Sequence, residues 1–206
     1  MIACGGDHAF AVTQDDRVFG WGRNNEAQLG LKLQQDYMNR PTEVETFRSI
    51  SISRIYCGPN YSAVITSMSR LMVAGSMEFG KLGLGHNLRS GFALEFTEVS
   101  RLKHVSIRDV SCGPRHMLAI AQSSSSSSGT TIYAWGSNSK GQLGIDSTET
   151  SYVPKKVKLQ RNEKFEQVCA GLDFSLGLDK KSGRVYMWGN QKYYGAVVPS
   201  PLLTPI

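Results

Sequence analysis

The chain has 206 residues, of which 40% are hydrophobic and 21 are glycine, and it carries a formal net charge of +6. Its apolar runs are far shorter than the roughly 18 residues that suggest a membrane-spanning helix, so we expect no membrane span. The first residues have neither a basic region nor an apolar stretch, which argues against a secretory signal and favours a cytoplasmic or nuclear protein.

A short phrase built around a glycine occurs four times along the chain. Its glycines, at positions 5, 58, 113 and 171, are 53, 55 and 58 residues apart. Three residues after each glycine stands a ring: His8, Tyr61, His116 and Phe174. Self-similarity at this spacing predicts a repeat array. We therefore treat 1–206 as one array with approximate copies at 2–54, 55–109, 110–167 and 168–206.

Each copy has the pattern of short β-strands. Small apolar residues predict strands at 8–13, 61–66 and 116–121. After a polar turn, β-branched and aromatic residues predict a second set at 17–21, 70–74, 131–135 and 184–188. Runs of this length and composition, bounded by turn residues, are typical of strands joined as hairpins. A small sheet cannot bury both faces alone, so the copies must stack, and radial stacking makes each copy a propeller blade.

A second phrase ends the second strand of each copy. It contains the dipeptides Trp21-Gly22, Ala74-Gly75, Trp135-Gly136 and Trp188-Gly189. In the first three copies a Leu-Gly follows, as in Gln28-Leu29-Gly30, whereas the fourth copy has Gln191-Lys192-Tyr193-Tyr194-Gly195. We predict that the three tryptophans are equivalent and that each packs against an adjoining blade.

Taken together, Cys-Gly-x-x-His, Trp-Gly-x-Asn and Gln-Leu-Gly resemble the regulator of chromosome condensation repeat. That family forms seven-bladed propellers, so the resemblance implies an all-β propeller, here an incomplete ring of about four blades. It also implies a possible role as a guanine nucleotide exchange factor for a Ran-type small GTPase, with chromatin contact. The positive charge permits contact with nucleic acid without requiring it.

Residues that a catalytic mechanism would use recur in the phase of the repeat. His8 and His116 share their position with Tyr61 and Phe174, so we predict that they serve packing. The cysteines stand about one per copy with no C-x-x-C pair, which favours buried free thiols at Cys4, Cys57, Cys112 and Cys169 over a disulfide or zinc site. We therefore predict no catalytic, cofactor-binding or metal-binding residue.

Loops that break the phase of a repeat array are where partners usually bind. On this basis we predict a non-catalytic protein-interaction platform, with GTPase regulation as the alternative and a propeller enzyme as the third function class. A partial ring also leaves room for self-association. The candidate interface residues lie in the loops after the second strands: Arg23, Asn24, Asn25, Met77, Glu78, Asn138, Lys140, Gln191 and Lys192.

Overall fold

A computed structural model describes residues 1–33, 35–85, 91–122, 130–159 and 164–190. The described strands form four antiparallel sheets, one per repeat, which we call blades 1 to 4. Short 3-10 helices, each three residues long, lie at Glu45–Phe47, Glu78–Gly80 and Ser100–Leu102. Within the described ranges, no helix is long and apolar enough to cross a membrane. Gln191, Lys192 and His86 lie outside the described residues.

Blades 1 and 2 each contain four strands in sequential order. Blade 1 consists of β1 (Ile2–Cys4), β2 (His8–Val12), β3 (Val18–Arg23) and β4 (Tyr37–Glu43). Blade 2 consists of β5 (Ile52–Cys57), β6 (Tyr61–Thr66), β7 (Leu71–Ser76) and β8 (Phe92–Glu98).

Blade 3 has the same topology, and blade 4 has three described strands. Blade 3 consists of β9 (Ile107–Cys112), β10 (His116–Ala121), β11 (Thr131–Gly136) and β12 (Ser151–Lys156). Blade 4 consists of β13 (Phe165–Ala170), β14 (Phe174–Asp179) and β15 (Val185–Gly189). The predicted all-β propeller with about four blades is confirmed.

Successive blades stack face to face. The first strands β1, β5, β9 and β13 contact one another in series, so they form the inner side of the array. Separate apolar clusters fill the three junctions between neighbouring blades. In the two middle blades, every residue of β6 and β10 is buried, because a neighbouring blade covers each face of the sheet. Stacking therefore supplies the core that a single blade lacks.

The tryptophans of blades 3 and 4 pack against the Leu-Gly turn of the preceding blade. Trp135 is 0% exposed and its indole N–H donates to the carbonyl of Lys81 at 2.8 Å. A Cβ placed on Gly83 would lie only 2.8 Å from Trp135 Nε1, and Trp188 lies beside Gly144 in the same way. The packing prediction is thus confirmed for these two residues. Trp21 is only half-buried, since no described blade precedes blade 1.

Blade 2 has Ala74 where the other blades have tryptophan. The space is filled by Phe96 of β8, whose ring would lie 2.5 Å from a Cβ on Gly30. Phe96 is itself buried and packs 4.8 Å from the ring of Phe47, measured between centroids. An aromatic ring therefore still covers the turn of blade 1, although it comes from another strand.

Candidate functional site

In blades 1 to 3, the residue that begins the second strand makes a hydrogen bond to the next blade. His8 Nε2 lies 2.8 Å from the hydroxyl oxygen of Ser62 in blade 2, and that hydroxyl donates to the carbonyl of Gln28 at 2.7 Å. Since the hydroxyl proton is committed to the carbonyl, the imidazole must donate from Nε2. His116 makes the same contact with Ser175 at 2.9 Å, and Ser175 donates to the carbonyl of Gln142 at 2.8 Å.

Both histidines are held in the neutral state. Nδ1 of His8 and Nδ1 of His116 are buried without a hydrogen-bond partner, so a proton added there would find no acceptor. Burial, which disfavours the charged imidazole, lowers the pKa of each histidine to about 4. The prediction that these histidines serve packing is confirmed.

The glycine of the repeated phrase makes room for the ring that follows it. A Cβ on Gly58 would lie 2.2 Å from Cε1 of Tyr61, and a Cβ on Gly5 would lie 2.4 Å from Cε1 of His8. Tyr61 replaces the histidine contact with a hydrogen bond from its hydroxyl to the carbonyl of Gly113 at 2.9 Å. Steric contact with the ring therefore explains the Gly-x-x-ring pattern in blades 1, 2 and 4, whereas a Cβ on Gly113 would meet the carbonyl of His116 and the side chain of Ala170, each at 2.9 Å.

The turns after the third strands lie at this same end of the blades, since β3, β7 and β11 run antiparallel to the strands that the rings begin. In blade 1, the carboxamide of Asn24 accepts from the amide of Leu29 at 3.1 Å and donates to the carbonyl of Leu33 at 3.0 Å. Asn138 accepts from the amide of Leu143 at 2.9 Å. Both side chains are buried and organise their turns, so the predicted interface residues Asn24 and Asn138 expose almost no surface to a partner.

Blade 2 has Met77 at the position of these asparagines, and its turn has a different conformation. Phe79 adopts φ = +59°, in the left-handed region that non-glycine residues seldom occupy. Phe79 is 37% exposed, and its ring centroid lies 5.3 Å from the guanidinium carbon of Arg115. The sequence alone could have singled out Phe79, because it stands at the position that holds the polar residues Glu26 and Lys140 in the turns of blades 1 and 3.

In the turn of blade 2, a lysine occupies the position that holds a buried glutamine in the turns of blades 1 and 3. Lys81 is 1% exposed, and its ammonium lies 3.8 Å from the carboxylate of Glu78. Burial lowers the pKa of Lys81, while the charge of Glu78 opposes that shift. The ammonium also lies 5.9 Å from the ring centroid of Tyr61. A buried cation beneath Phe79 thus distinguishes this turn from those of blades 1 and 3.

The other predicted interface residues also lie at the turn end. Asn25, Glu78 and Lys140 are exposed, whereas Met77 and Arg23 are half-buried. The guanidinium of Arg23 donates to the side chain of Asn25 at 2.7 Å. We call this end of the array the turn face. Asn60, which donates to Glu26 at 3.0 Å, lies there too and was not predicted.

The junction and turn geometry repeats from blade to blade, and two family models match the repeats. Both are described as the regulator of chromosome condensation (RCC1) repeat, one matching residues 15–65 and 131–178 and the other residues 107–142 and 165–195. The chain belongs to the RCC1 repeat family. The human E3 ubiquitin-protein ligase HERC2 is 32% identical over 193 residues, which is 94% of this chain and 4% of the ligase.

Solved RCC1-type structures share the fold at low sequence identity. Human WBSCR16 superposes with a TM-score of 0.81 at 20% identity, covering 98% of this chain and 53% of WBSCR16. Prp20p from Saccharomyces cerevisiae, whose structure was described with its binding to Gsp1p and histones, gives a TM-score of 0.73 at 21% identity, covering 88% of this chain and 44% of Prp20p. The chain spans about half of each of these propellers.

The cysteines of these RCC1 repeats do not follow the prediction of burial. All four are free; Cys4 and Cys169 are exposed, and Cys57 and Cys112 are half-buried. The prediction is therefore wrong for Cys4 and Cys169. Burial raises the pKa of the Cys57 and Cys112 thiols to about 12. The difference arises because the cysteines lie on the inner strands, and among the described sheets blades 1 and 4 each have a neighbouring blade on one side only.

Proposed function

We propose that this RCC1-repeat chain is a non-catalytic protein-interaction platform that binds its partner on the turn face. The observation that carries the proposal is the turn of blade 2, where Phe79 departs from the repeat and exposes an aromatic ring. A left-handed conformation at a non-glycine residue costs on the order of 1–3 kcal/mol and concentrates at functional sites. A turn kept only for packing would place a polar residue or glycine there.

The surroundings of Phe79 have the chemistry of a protein-binding surface. Aromatic and arginine side chains are enriched at the centres of interfaces, and Phe79 and Arg115 stack on each other. Glu78 adds an exposed carboxylate beside them. The buried histidines, in contrast, are committed to blade junctions, which supports binding over catalysis.

Site-specific photocrosslinking in cells tests the proposal. A benzophenone amino acid replaces Phe79, and in a matched control it replaces Met68, which is 79% exposed in the β6–β7 turn at the opposite end of the same blade. We expect a discrete crosslinked protein from position 79 and none from position 68. Equal crosslinking at both positions, or none at position 79, would refute binding on the turn face.

Guanine nucleotide exchange on a Ran-type GTPase is the second candidate. Its support is the structural likeness to Prp20p, whose structure was described with its binding to Gsp1p and histones. Because exchange requires loops held rigidly against one another, we expect the isolated chain to leave release of a labelled guanine nucleotide unaccelerated. Acceleration by the chain alone would place exchange ahead of the platform role.

The exchange-factor candidate also includes contact with chromatin or nucleic acid. Lys155, Lys156 and Lys158 are exposed on and after β12 and provide a basic strip on the outer edge of blade 3. Such a strip would give binding that weakens steeply as salt increases. The four free thiols fit the cytoplasmic or nuclear location that we propose.

A further inference from the structure

The residue that precedes the ring at the start of each second strand lies at the turn face. In blades 1, 2 and 4 this residue is acidic or an amide, and its side chain is paired with another side chain. The pairs are Asp7 with Arg23 at 3.3 Å, Asn60 with Glu26 at 3.0 Å, and Asp173 with Asn190. Blade 3 has a cation, Arg115, at this position. The charge at this position in blade 3 therefore departs from the repeat.

The guanidinium group of Arg115 is positioned by contact with an aromatic ring. Its carbon lies 5.3 Å from the ring centroid of Phe79, and such contact restricts the orientation of the group. Arg115 is exposed, and in the ranges that the structure describes its guanidinium makes no hydrogen bond or ion pair. A guanidinium held in this way presents several N–H donors, and a carboxylate can accept two of them at once.

A second cation of blade 3 lies in the turn beside Arg115. The amide of Ser137 donates to the carbonyl of Arg115 at 2.9 Å, so the turn that carries Lys140 begins next to Arg115. Lys140 is exposed, and its ammonium forms no ion pair within the described part of the chain. Blade 3 therefore contributes two positive charges to the turn face that no carboxylate of the described residues neutralises.

The carboxylates in the turns of blades 1 and 2 are each engaged by another side chain. The carboxylate of Glu78 lies 3.8 Å from the buried ammonium of Lys81, and both oxygens of Glu26 accept from the carboxamide of Asn60. The charge of Glu78 is thus balanced from below by Lys81. A carboxylate that approached Arg115 from outside would therefore meet cations in excess.

Aromatic side chains lie next to these charges. Phe79 and Tyr152 are each 37% exposed. Tyr152 lies against the same turn as Phe79, since a Cβ placed on Gly80 would lie 2.8 Å from its Cδ1. Exposed rings beside an arginine are typical of the centre of a protein interface. A partner that places a carboxylate on Arg115 can therefore also bury an apolar side chain here.

We propose that Arg115 and Lys140 bind the carboxylates of an acidic segment of a partner protein, while an apolar residue of that segment packs on Phe79. This inference rests on the proposed binding of a partner at the turn face, and it specifies the chemistry of that partner. Complementary charge fixes the register of the segment and favours acidic partners over basic ones. The aromatic ring supplies the apolar area that an ion pair alone does not bury.

Selection from a phage library of short random peptides on the purified chain tests the charge of the partner. We expect the selected peptides to carry aspartate or glutamate beside a large apolar residue. Arg115→Glu should select lysine or arginine at the acidic position. Phe79→Asn, which tolerates the left-handed backbone, should lose the apolar preference. The matched control is Arg101→Glu, at an exposed residue of the 3-10 helix at the opposite end of blade 2, and it should select the same peptides as the unmodified chain.

Fluorescence anisotropy with one selected peptide measures the contribution of each cation. Arg115→Gln should weaken binding at least about 10-fold, because charge-assisted hydrogen bonds are lost. Arg115→Lys should restore only part of the affinity, since an ammonium lacks the planar pair of donors. Lys140→Gln should weaken binding by a smaller factor, because a flexible exposed ammonium forms weaker pairs. Changing the acidic residue of the peptide to its amide should weaken binding to the unmodified chain and change binding to Arg115→Gln little.

The outcomes separate the acidic partner from the platform role. Peptides that require Phe79 but contain no acidic residue, or that bind Arg115→Gln as tightly as the unmodified chain, would overturn the acidic partner and leave the platform role intact. A single-stranded DNA oligonucleotide that binds through Arg115 more tightly than every selected peptide would assign the surface to nucleic acid instead. The proposal also fails if no peptide depends on Phe79, and photocrosslinking from position 79 then decides independently whether the platform role fails with it.

Discussion

Replacing Trp135 with alanine should destabilise the chain strongly, because the indole is the centre of the junction between blades 2 and 3. Its ring is 0% exposed, and its N–H donates to the carbonyl of Lys81 at 2.8 Å. Removing a fully buried tryptophan typically costs about 3–5 kcal/mol through lost burial and the cavity left behind. The orphaned carbonyl of Lys81 adds a desolvation cost of about 1 kcal/mol or more. We therefore expect a loss near the upper end, at about 5 kcal/mol.

Trp21→Ala is the matched comparison, since Trp21 holds the same repeat position but is only half-buried. With roughly half the area to lose, it should cost about 1–2 kcal/mol by area bookkeeping. Urea unfolding followed by far-ultraviolet circular dichroism gives both values. The melts are run at low protein concentration, so that association between copies does not cover Trp21. A loss below about 1 kcal/mol for Trp135→Ala, or equal losses at both positions, would refute the junction role.

Three further predictions concern the histidines, a turn and the cysteines. With folded-state pKa values of about 4 against 6.5 unfolded, His8 and His116 leave stability intact above pH 6.5, and stability falls as the pH drops from 6.5 toward 4. Each histidine contributes about 3 kcal/mol to this loss of stability. The His116→Phe variant should therefore lose less stability between pH 6.5 and 4, because the contribution of His116 is absent. Asn138→Ala should lower the free energy of unfolding by about 1–3 kcal/mol in a urea melt, because the buried backbone amide of Leu143 loses its acceptor. Ser139→Ala, at the adjacent exposed residue, should leave the free energy of unfolding nearly unchanged. Cys4 and Cys169 should react with a thiol reagent in the native state, whereas the two half-buried thiols should react only on unfolding; uniform reactivity would contradict the structure.

The sequence by itself determined the strands and their equivalence. A glycine three residues before a ring is a local steric requirement, so Gly58 and Tyr61 reveal their pairing without any knowledge of neighbouring blades. Continuous runs of small apolar residues likewise specify strands such as β6 and β10, because both faces of these strands are buried between neighbouring blades. Repetition then identified His8 and His116 as packing residues.

Only the tertiary structure decided which repeated residues are covered and which face solvent. Asn24 resembles a polar loop residue in the sequence, yet its side chain is buried because it satisfies backbone groups within the turn. Cys4 and Trp21 share their phase with better-covered equivalents, but their exposure depends on whether another blade stands beside them. Burial at a blade junction is a property of two stacked sheets, and the sequence of one repeat does not contain its neighbour.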